Sequence, residues 1–411
     1  MVIRPACEKE TDYVRADNLK APEPTSVYQY PTFLTDKQIR MRNMDHCGVR
    51  ASDVNTLLAR YPVPPAPSSC AQDMYYTEVL VPQLVPVLVP AKATWYLIPH
   101  HATCVYHACV LEQFSDTDLC KQKAAQHLTD ILDIVIAKYP YWNETNGGDS
   151  THIRFYCNQQ LKTKRVYAGR NHVIIFSWDQ SSEVLGYNAS IHDRISSCMH
   201  LTTLGTTDAK VARNYNPVKD IVIPPYANYS IPLSIFKRPH WPDIQHFFNL
   251  FGYSHGVRQY IRELGAVCSG RYFVKEGHTD LMTYWQEIGN STFSLCPSGW
   301  SPWSPRLFDS MIAGSIPIIF ADDIILPFES QIPYHTFTLR IRNADVGTLD
   351  TVIQAVTAAD VASKKLGMIR YRDKLVWNVP TRLGDAFDSF LEELGSGSLK
   401  QDQKLKRHQE F

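Results

Sequence analysis

The stretch NSTFSLCPSGWSPWSPRLFDSMIAGSIPIIFADDIILPFE, residues 290–329, restricts the fold more than any other part of the chain. Phe293 to Cys296 is an apolar run that enters a turn containing Pro297 and Gly299. Ser304 suits a helix N-cap, and Pro305 suits the first helical position, where a missing N–H costs no intrahelical bond. Gly314 ends that helix after about two and a half turns. Ile316 to Phe320 then reads as a buried strand. Strand, glycine turn, helix and strand make a parallel crossover unit, which commits this part of the chain to an α/β sheet covered by helices. Arg306 falls in the first helical turn, beside N–H groups that have no intrahelical acceptor, so the helix start is a natural seat for a phosphate. The plainer alternative is that Arg306 pairs with a surface carboxylate.

A second segment repeats this logic. Gly252-Tyr253-Ser254-His255-Gly256-Val257-Arg258 follows the strand-like IQHFFNLFG and opens the helix VRQYIREL, with Arg258 in its first turn. Two strand-to-helix turns of one parallel sheet end at the same carboxyl edge, where ligands of open α/β sheets bind. Arg258 and Arg306 would then grip one diphosphate from two sides, because the planar guanidinium fork makes paired bonds to phosphate oxygens and stays charged. Gly256, Gly299 and Ser304 belong to the same two turns. For Arg258 the plainer alternative is a surface pair with Glu263. Glu329, after Leu326-Pro327-Phe328, suits either the hydroxyls of a ribose or a helix start. Asp322 and Asp323 fit a solvated turn or a sugar contact equally well.

The remaining chain alternates in the same way. ATWYLIP (93–99), Val173 to Trp178 and Lys219 to Tyr226 read as strands, and apolar spacing over 121–138 predicts a helix. Residues 349–393 read as helical. Pro232 and Pro239 mark a boundary near 226–240, YPVPPAPSS (61–69) reads as an extended linker, and order is expected from about Met74. With 411 residues, two domains are expected: 1–73 an extended, stem-like segment, 74–230 and 231–395 two α/β domains, 396–411 a mobile tail.

Lys plus Arg equals Asp plus Glu at 41 each, so no global field draws the chain to nucleic acid or an anionic membrane. Ten cysteines are scattered without a CxxC pair, which leaves no zinc-type spacing, and His100, His101 and His107 form none either. On composition a few disulfides and buried free thiols fit equally; four sequons, at Asn143, Asn188, Asn228 and Asn290, favour an oxidising lumen. Asn290, directly before a buried strand, is the least suited of the four to carry a glycan. The first 20 residues are too charged for a signal peptide, and Val79 to Ala91 is too short and too rich in proline to span a membrane.

The 290–329 block resembles the donor-site segment of the exostosin-type glycosyltransferases, approximately FCLxPxGxxxxSxRLFDAIxxGCIPVIxxDxxxLPFE. Phe293, Leu295, Pro297, Gly299, Ser304, Arg306, Leu307, Phe308, Asp309, Gly314, Ile316, Pro317, Asp322, Leu326, Pro327, Phe328 and Glu329 fall in register. Two family cysteines are replaced, by Ser294 and Ser315, on the two strands that flank the helix. Arg258 matches the arginine of the family's G-x-R segment. KDIVIPPY, with Asp220, resembles KDVVIPP; Gly169-Arg170-Asn171-His172 resembles GRDH; Asp179 matches the carboxylate of SHD.

The resemblance spans roughly residues 74–390 and implies an α/β fold of two Rossmann-like domains facing across a cleft, the GT-B arrangement. It implies an inverting glycosyltransferase of the Golgi lumen that moves a sugar from a nucleotide sugar, UDP-linked by expectation, to a polysaccharide or glycoprotein glycan. No cofactor or metal is expected, since GT-B enzymes steady the leaving diphosphate with helix starts and cations. The family's usual N-terminal membrane anchor is not visible in this sequence. Asp179 and His172 are the candidate bases for the acceptor hydroxyl, against the plainer outcome of a satisfied core histidine. A homodimer or heterodimer with a related glycosyltransferase is compatible with this, and the alternative function is a catalytically silent partner subunit.

Overall fold

The structure, a computed structural model, describes residues 27–29, 93, 95–113, 116–142, 171–187, 189–208, 214–226, 246–250, 256–267, 271–276, 280–299, 301–378 and 381–395. Gly169 and Arg170, Gly252 to His255, the 61–69 linker, the 74–85 segment, the 396–411 tail and the sequons at Asn143, Asn188 and Asn228 lie outside the described residues.

Among the described residues, two five-stranded sheets, both parallel throughout, organise the chain. The first holds β1 (Val27–Gln29), β2 (Trp95–Leu97), β3 (His172–Phe176), β4 (Met199–Thr202) and β5 (Ile221–Val222) in chain order. The expectation that order begins near Met74 is corrected by β1, whose backbone pairs with β2 from Val27↔Trp95 to Gln29↔Leu97. β5 is only two residues long, because Pro224 and Pro225 cannot extend the ladder of the expected 219–226 strand. Side chains alternate across this sheet with the two-residue period of a strand. Tyr96, Ile174 and Phe176 pack on helices α1 (Ala102–Gln113), α2 (Thr117–Lys138) and α3 (Ala189–Ile195). Trp95, Leu97, Val173 and Ile175 join a core that continues into the second sheet and the C-terminal segment.

α2 shows how local rules place an element. Asp116 caps it by accepting from Leu119 N at 2.9 Å, and Ala124, Leu128, Ile131, Leu132 and Val135 line its buried face. It begins at Thr117, four residues before the apolar spacing predicts, because the cap and not the core stripe sets its start.

The second sheet runs in the order β7 (Tyr272–Glu276), β6 (His246–Leu250), β8 (Phe293–Pro297), β9 (Ile316–Phe320), β10 (Leu339–Arg340). β8 and β9 are buried along their whole length, as strands covered on both faces must be. Helices α4 (Val257–Val267), α5 (Leu281–Gly289) and α6 (Pro305–Ala313) follow β6, β7 and β8. The single helical stretch expected over 349–393 is instead α7 (Leu349–Ala355), α8 (Ala358–Tyr371) and a helix over 386–395. The break falls at Thr357, which sits in extended backbone and forms a reciprocal capping box with Asp360. That local bond competes with continuing the helix.

Loops at the carboxyl ends of the two sheets touch. Ile325 N donates to Gly205 O at 2.9 Å, Thr207 N donates to Asp323 O at 2.8 Å, and one antiparallel bridge pairs Thr206 with Ile324. Only glycine fits at 205, since a Cβ there would lie 2.2 Å from the Ile325 carbonyl oxygen. Trp377 Nε1 donates to Pro224 O at 2.9 Å, which ties the C-terminal segment to the first sheet.

Candidate functional site

In the second sheet the strand order reverses between β6 and β8: the chain leaves β6 toward β7 on one side and passes from β8 to β9 on the other. Such a reversal leaves a crevice at the carboxyl edge, bounded by the two helices that start there. Those helices are α4 and α6, and each carries an arginine as its second residue, Arg258 and Arg306. α6 has the expected construction: Ser304 at the N-cap in extended backbone, Pro305 first, and Gly314 left-handed at the C-cap with φ 83°. The Ser304 hydroxyl makes no cap bond within the helix. Gly256, with φ 59°, supplies the left-handed turn into α4.

The two turns interlock. Arg258 Nε donates to Ser298 O at 3.0 Å, and Nη2 of the same side chain passes 3.5 Å from where a Cβ on Gly299 would stand. Ser298 N donates to Phe320 O at 3.1 Å and Gly299 N to Ser301 O at 2.9 Å, so the loop is fixed at both ends. Glu263, the alternative partner for Arg258, accepts instead from Gln259 at 3.0 Å. Burial holds the Arg258 guanidinium below its ordinary pKa, and the charge of Arg306 pushes it the same way, so the two cations sense each other across the crevice. A shared anion would relieve both effects.

Glu329 lies in the loop after β9. Its Oε1 accepts from Leu326 N at 2.9 Å and from Arg340 Nη2 at 3.0 Å, which orients the carboxylate. Phe328 before it is buried yet left-handed, φ 52°, a strained conformation for a bulky residue. Asp323 is used at the junction between the sheets, where its Oδ1 accepts from Thr207 Oγ1 at 3.2 Å. Asp322 Oδ1 accepts from Asn343 N at 2.8 Å.

Of the two candidate bases, the structure brings only one to the carboxyl edges. Asp179 lies three residues past the end of β3. Its main-chain oxygen accepts from Ser301 Oγ at 2.7 Å and from Trp303 Nε1 at 3.2 Å, both in the loop that runs from β8 to α6. Among the described residues its carboxylate takes no hydrogen bond, and burial raises its pKa. His172 is the first residue of β3 and so sits at the opposite end of the strand, about 13 Å from its carboxyl end at strand rise. It is fully buried, stacked on Tyr96 at 5.1 Å and edge-on to Trp142 at 4.9 Å, and burial lowers its pKa to about 3. The assignment of His172 as a base is therefore withdrawn. The signal was available in the sequence: His172 precedes the apolar run and Asp179 follows it, and parallel strands present ligand sites only at the carboxyl end. Asp220 is likewise structural, accepting from His200 N at 2.9 Å and Asn216 N at 2.7 Å. Ser301 and Trp303 gave no signal, since both fall at unspecified positions of the 290–329 pattern.

Ser294 and Ser315, which stand where the resembling family has cysteines, meet each other: their hydroxyls are 2.7 Å apart and fully buried. Ser294→Ala should strand the Ser315 hydroxyl and cost about 1–3 kcal/mol, whereas Ser294→Ala/Ser315→Ala should recover most of that loss. Urea melts of the two variants check this; equal destabilisation by single and double changes would show that the pair is not the relevant unit.

Cys109 and Cys120 form a disulfide, Cys104 is disulfide-bonded, and Cys198 and Cys296 are buried thiols. Among the described residues no group of three His, Cys, Asp or Glu side chains converges as a metal would require. No described helix is long and apolar enough to cross a membrane.

The model of the exostosin GT47 domain matches residues 150–356. A probable glucuronoxylan glucuronosyltransferase of Arabidopsis thaliana, IRX7, is 30% identical over 346 residues, covering 78% of this chain and 68% of that protein. A probable glucuronosyltransferase of Oryza sativa subsp. japonica is 26% identical over 357 residues, covering 80% of this chain and 75% of that protein. A probable beta-1,4-xylosyltransferase of Arabidopsis thaliana, IRX10L, is 25% identical over 346 residues, covering 79% and 74%. The pneumococcal O-GlcNAc transferase GtfA, solved with UDP and GlcNAc, aligns over 55% of this chain and 57% of its own at 10% identity and a TM-score of 0.28, a likeness too slight to bear on the site.

Proposed function

The chain belongs to the exostosin GT47 family and is a glycosyltransferase, and from that premise we propose that it transfers a sugar from a UDP-sugar to a polysaccharide or glycoprotein glycan with inversion at the anomeric carbon. The observation that carries the donor half is the pair Arg258 and Arg306, each in the first turn of a helix flanking the reversal of the second sheet. Two guanidinium groups and two helix starts offer a diphosphate both charge and N–H donors without a metal ion. Glu329, oriented through Oε1, is assigned to the ribose hydroxyls. Residues 231–395 form the donor side and 74–230 the acceptor side of a GT-B cleft. Transfer to an oxidising lumen such as the Golgi suits the disulfides.

In the proposed reaction an acceptor hydroxyl oxygen bonds to the donor anomeric carbon as the bond from that carbon to the diphosphate oxygen breaks. Asp179 takes the hydroxyl proton. The electron pair leaves on the diphosphate, where Arg258, Arg306 and the α6 start receive the charge. One displacement inverts the configuration.

Calorimetry with UDP, with and without a chelator, tests the donor half. Binding that survives the chelator is expected, and a strict need for a divalent ion would refute the metal-free clamp. Arg258→Ala and Arg306→Ala should each weaken UDP binding by about 1.5–3 kcal/mol, the range for bonds to charged groups. Arg306→Lys should recover only part, because it keeps charge and loses the fork. Xylohexaose with UDP-glucuronic acid or UDP-xylose is the first transfer assay, chosen because the relatives are named for glucuronosyl and xylosyl transfer.

A further inference from the structure

The geometry points to Ser301 and Trp303 as positioning residues for transfer: they hold the main chain of Asp179 against the loop that closes the diphosphate crevice. This rests on the assignment of Asp179 as the base. Both side chains are buried, and both donate to one acceptor, the Asp179 carbonyl oxygen, at 2.7 Å and 3.2 Å. Two side-chain donors on one main-chain oxygen, supplied from more than 120 residues along the chain, are more than folding of the local turn requires.

The same loop is anchored on its other side. Ser298 O accepts from Arg258 Nε at 3.0 Å, so the loop between β8 and α6 meets the diphosphate clamp at Ser298 and the candidate base at Ser301 and Trp303. Trp303 also packs against Phe308 of α6, ring centres 6.4 Å apart, on the helix that bears Arg306. Among the described residues the Asp179 carboxylate takes no hydrogen bond, so the polar contacts that hold the residue there act on its main chain. Among the described residues, Ser301 and Trp303 tie that main chain to the donor side. The separate junction of 205–207 with 323–325 keeps the two sheets together without them. Loosening the contact should therefore displace the base without opening the fold.

The test uses Ser301→Ala, Trp303→Phe and the double variant, assayed with xylohexaose and UDP-xylose or UDP-glucuronic acid, whichever donor the wild type turns over. Trp303→Phe keeps an aromatic ring in the pocket and removes only the N–H and part of the ring area. In the double variant kcat should fall about 10- to 100-fold, the scale of a misplacement near 1 Å, while calorimetric UDP affinity stays near wild type and the melting temperature drops only by the few degrees that two lost hydrogen bonds cost. Ser301→Thr, which restores the hydroxyl, should recover kcat. Introduced into Asp179→Asn, the same changes should cause no further loss, because they act through a carboxylate that is no longer there. An unchanged kcat beside an inactive Asp179→Asn overturns the positioning role alone, and so does a loss that persists in full in the Asp179→Asn background. Normal transfer by Asp179→Asn overturns the base assignment and the positioning role together.

Discussion

In Asp179→Asn, glycosyl transfer is expected to fall by about 10²- to 10⁴-fold while UDP binds as tightly as it does to wild type, since a general base contributes on that scale and does not touch the nucleotide. The residue stands past the carboxyl end of β3, held by Ser301 and Trp303 at the edge of the donor loop. Burial raises its pKa, which makes the carboxylate a better proton acceptor but also delays its ionisation. The base must be deprotonated, so kcat should be full above that raised pKa and fall as pH drops through it, at higher pH than an ordinary aspartate would show. Asparagine preserves size and removes the limb. Product configuration, read by proton NMR, supplies an independent check: retention of the donor's anomeric configuration would rule out the single displacement, whatever Asp179 does.

The second large effect is acid lability. His100, His172 and His200 are buried and neutral, held down to about 3, about 3 and about 4 against an ordinary 6.5, with burial the first cause each time. His100 shows why the neutral form is built in: Nδ1 accepts from Ala102 N at 3.0 Å and Nε2 donates to Ile175 O at 2.8 Å, so protonation would cost the first bond. Below 6.5 the unfolded chain binds protons that the folded chain refuses. Stability should thus be full above pH 6.5 and decline as pH falls toward 4, by about 2 kcal/mol per histidine at pH 5 and about 6 kcal/mol for the three. That is comparable to the whole stability of an ordinary domain. Urea melts at pH 7 and pH 5 measure it. His172→Phe, which keeps the stacking on Tyr96 and cannot ionise, should remove about a third of the pH dependence. A midpoint unchanged between the two pH values would show that these side chains reach water in the folded state.

What the sequence determined by itself is the local chemistry of the second sheet. Ser304, Pro305 and Gly314 fixed the ends of α6, mainly apolar runs fixed β8 and β9, and Arg258 and Arg306 were identifiable as first-turn cations. Caps, strand burial and helical spacing act within a few residues, so they are written in consecutive letters. The pairing of Ser294 with Ser315 was half legible, since two substitutions on strands flanking one helix pointed to one interaction. Tertiary structure decided the rest. Nothing in the letters near Val27 shows that it pairs beside Trp95, or that a main-chain oxygen at Asp179 will be claimed by Ser301 and Trp303. Contacts between segments so far apart depend on how sheets stack and which loops share an edge, and those are properties of packed surfaces that no short stretch of sequence carries.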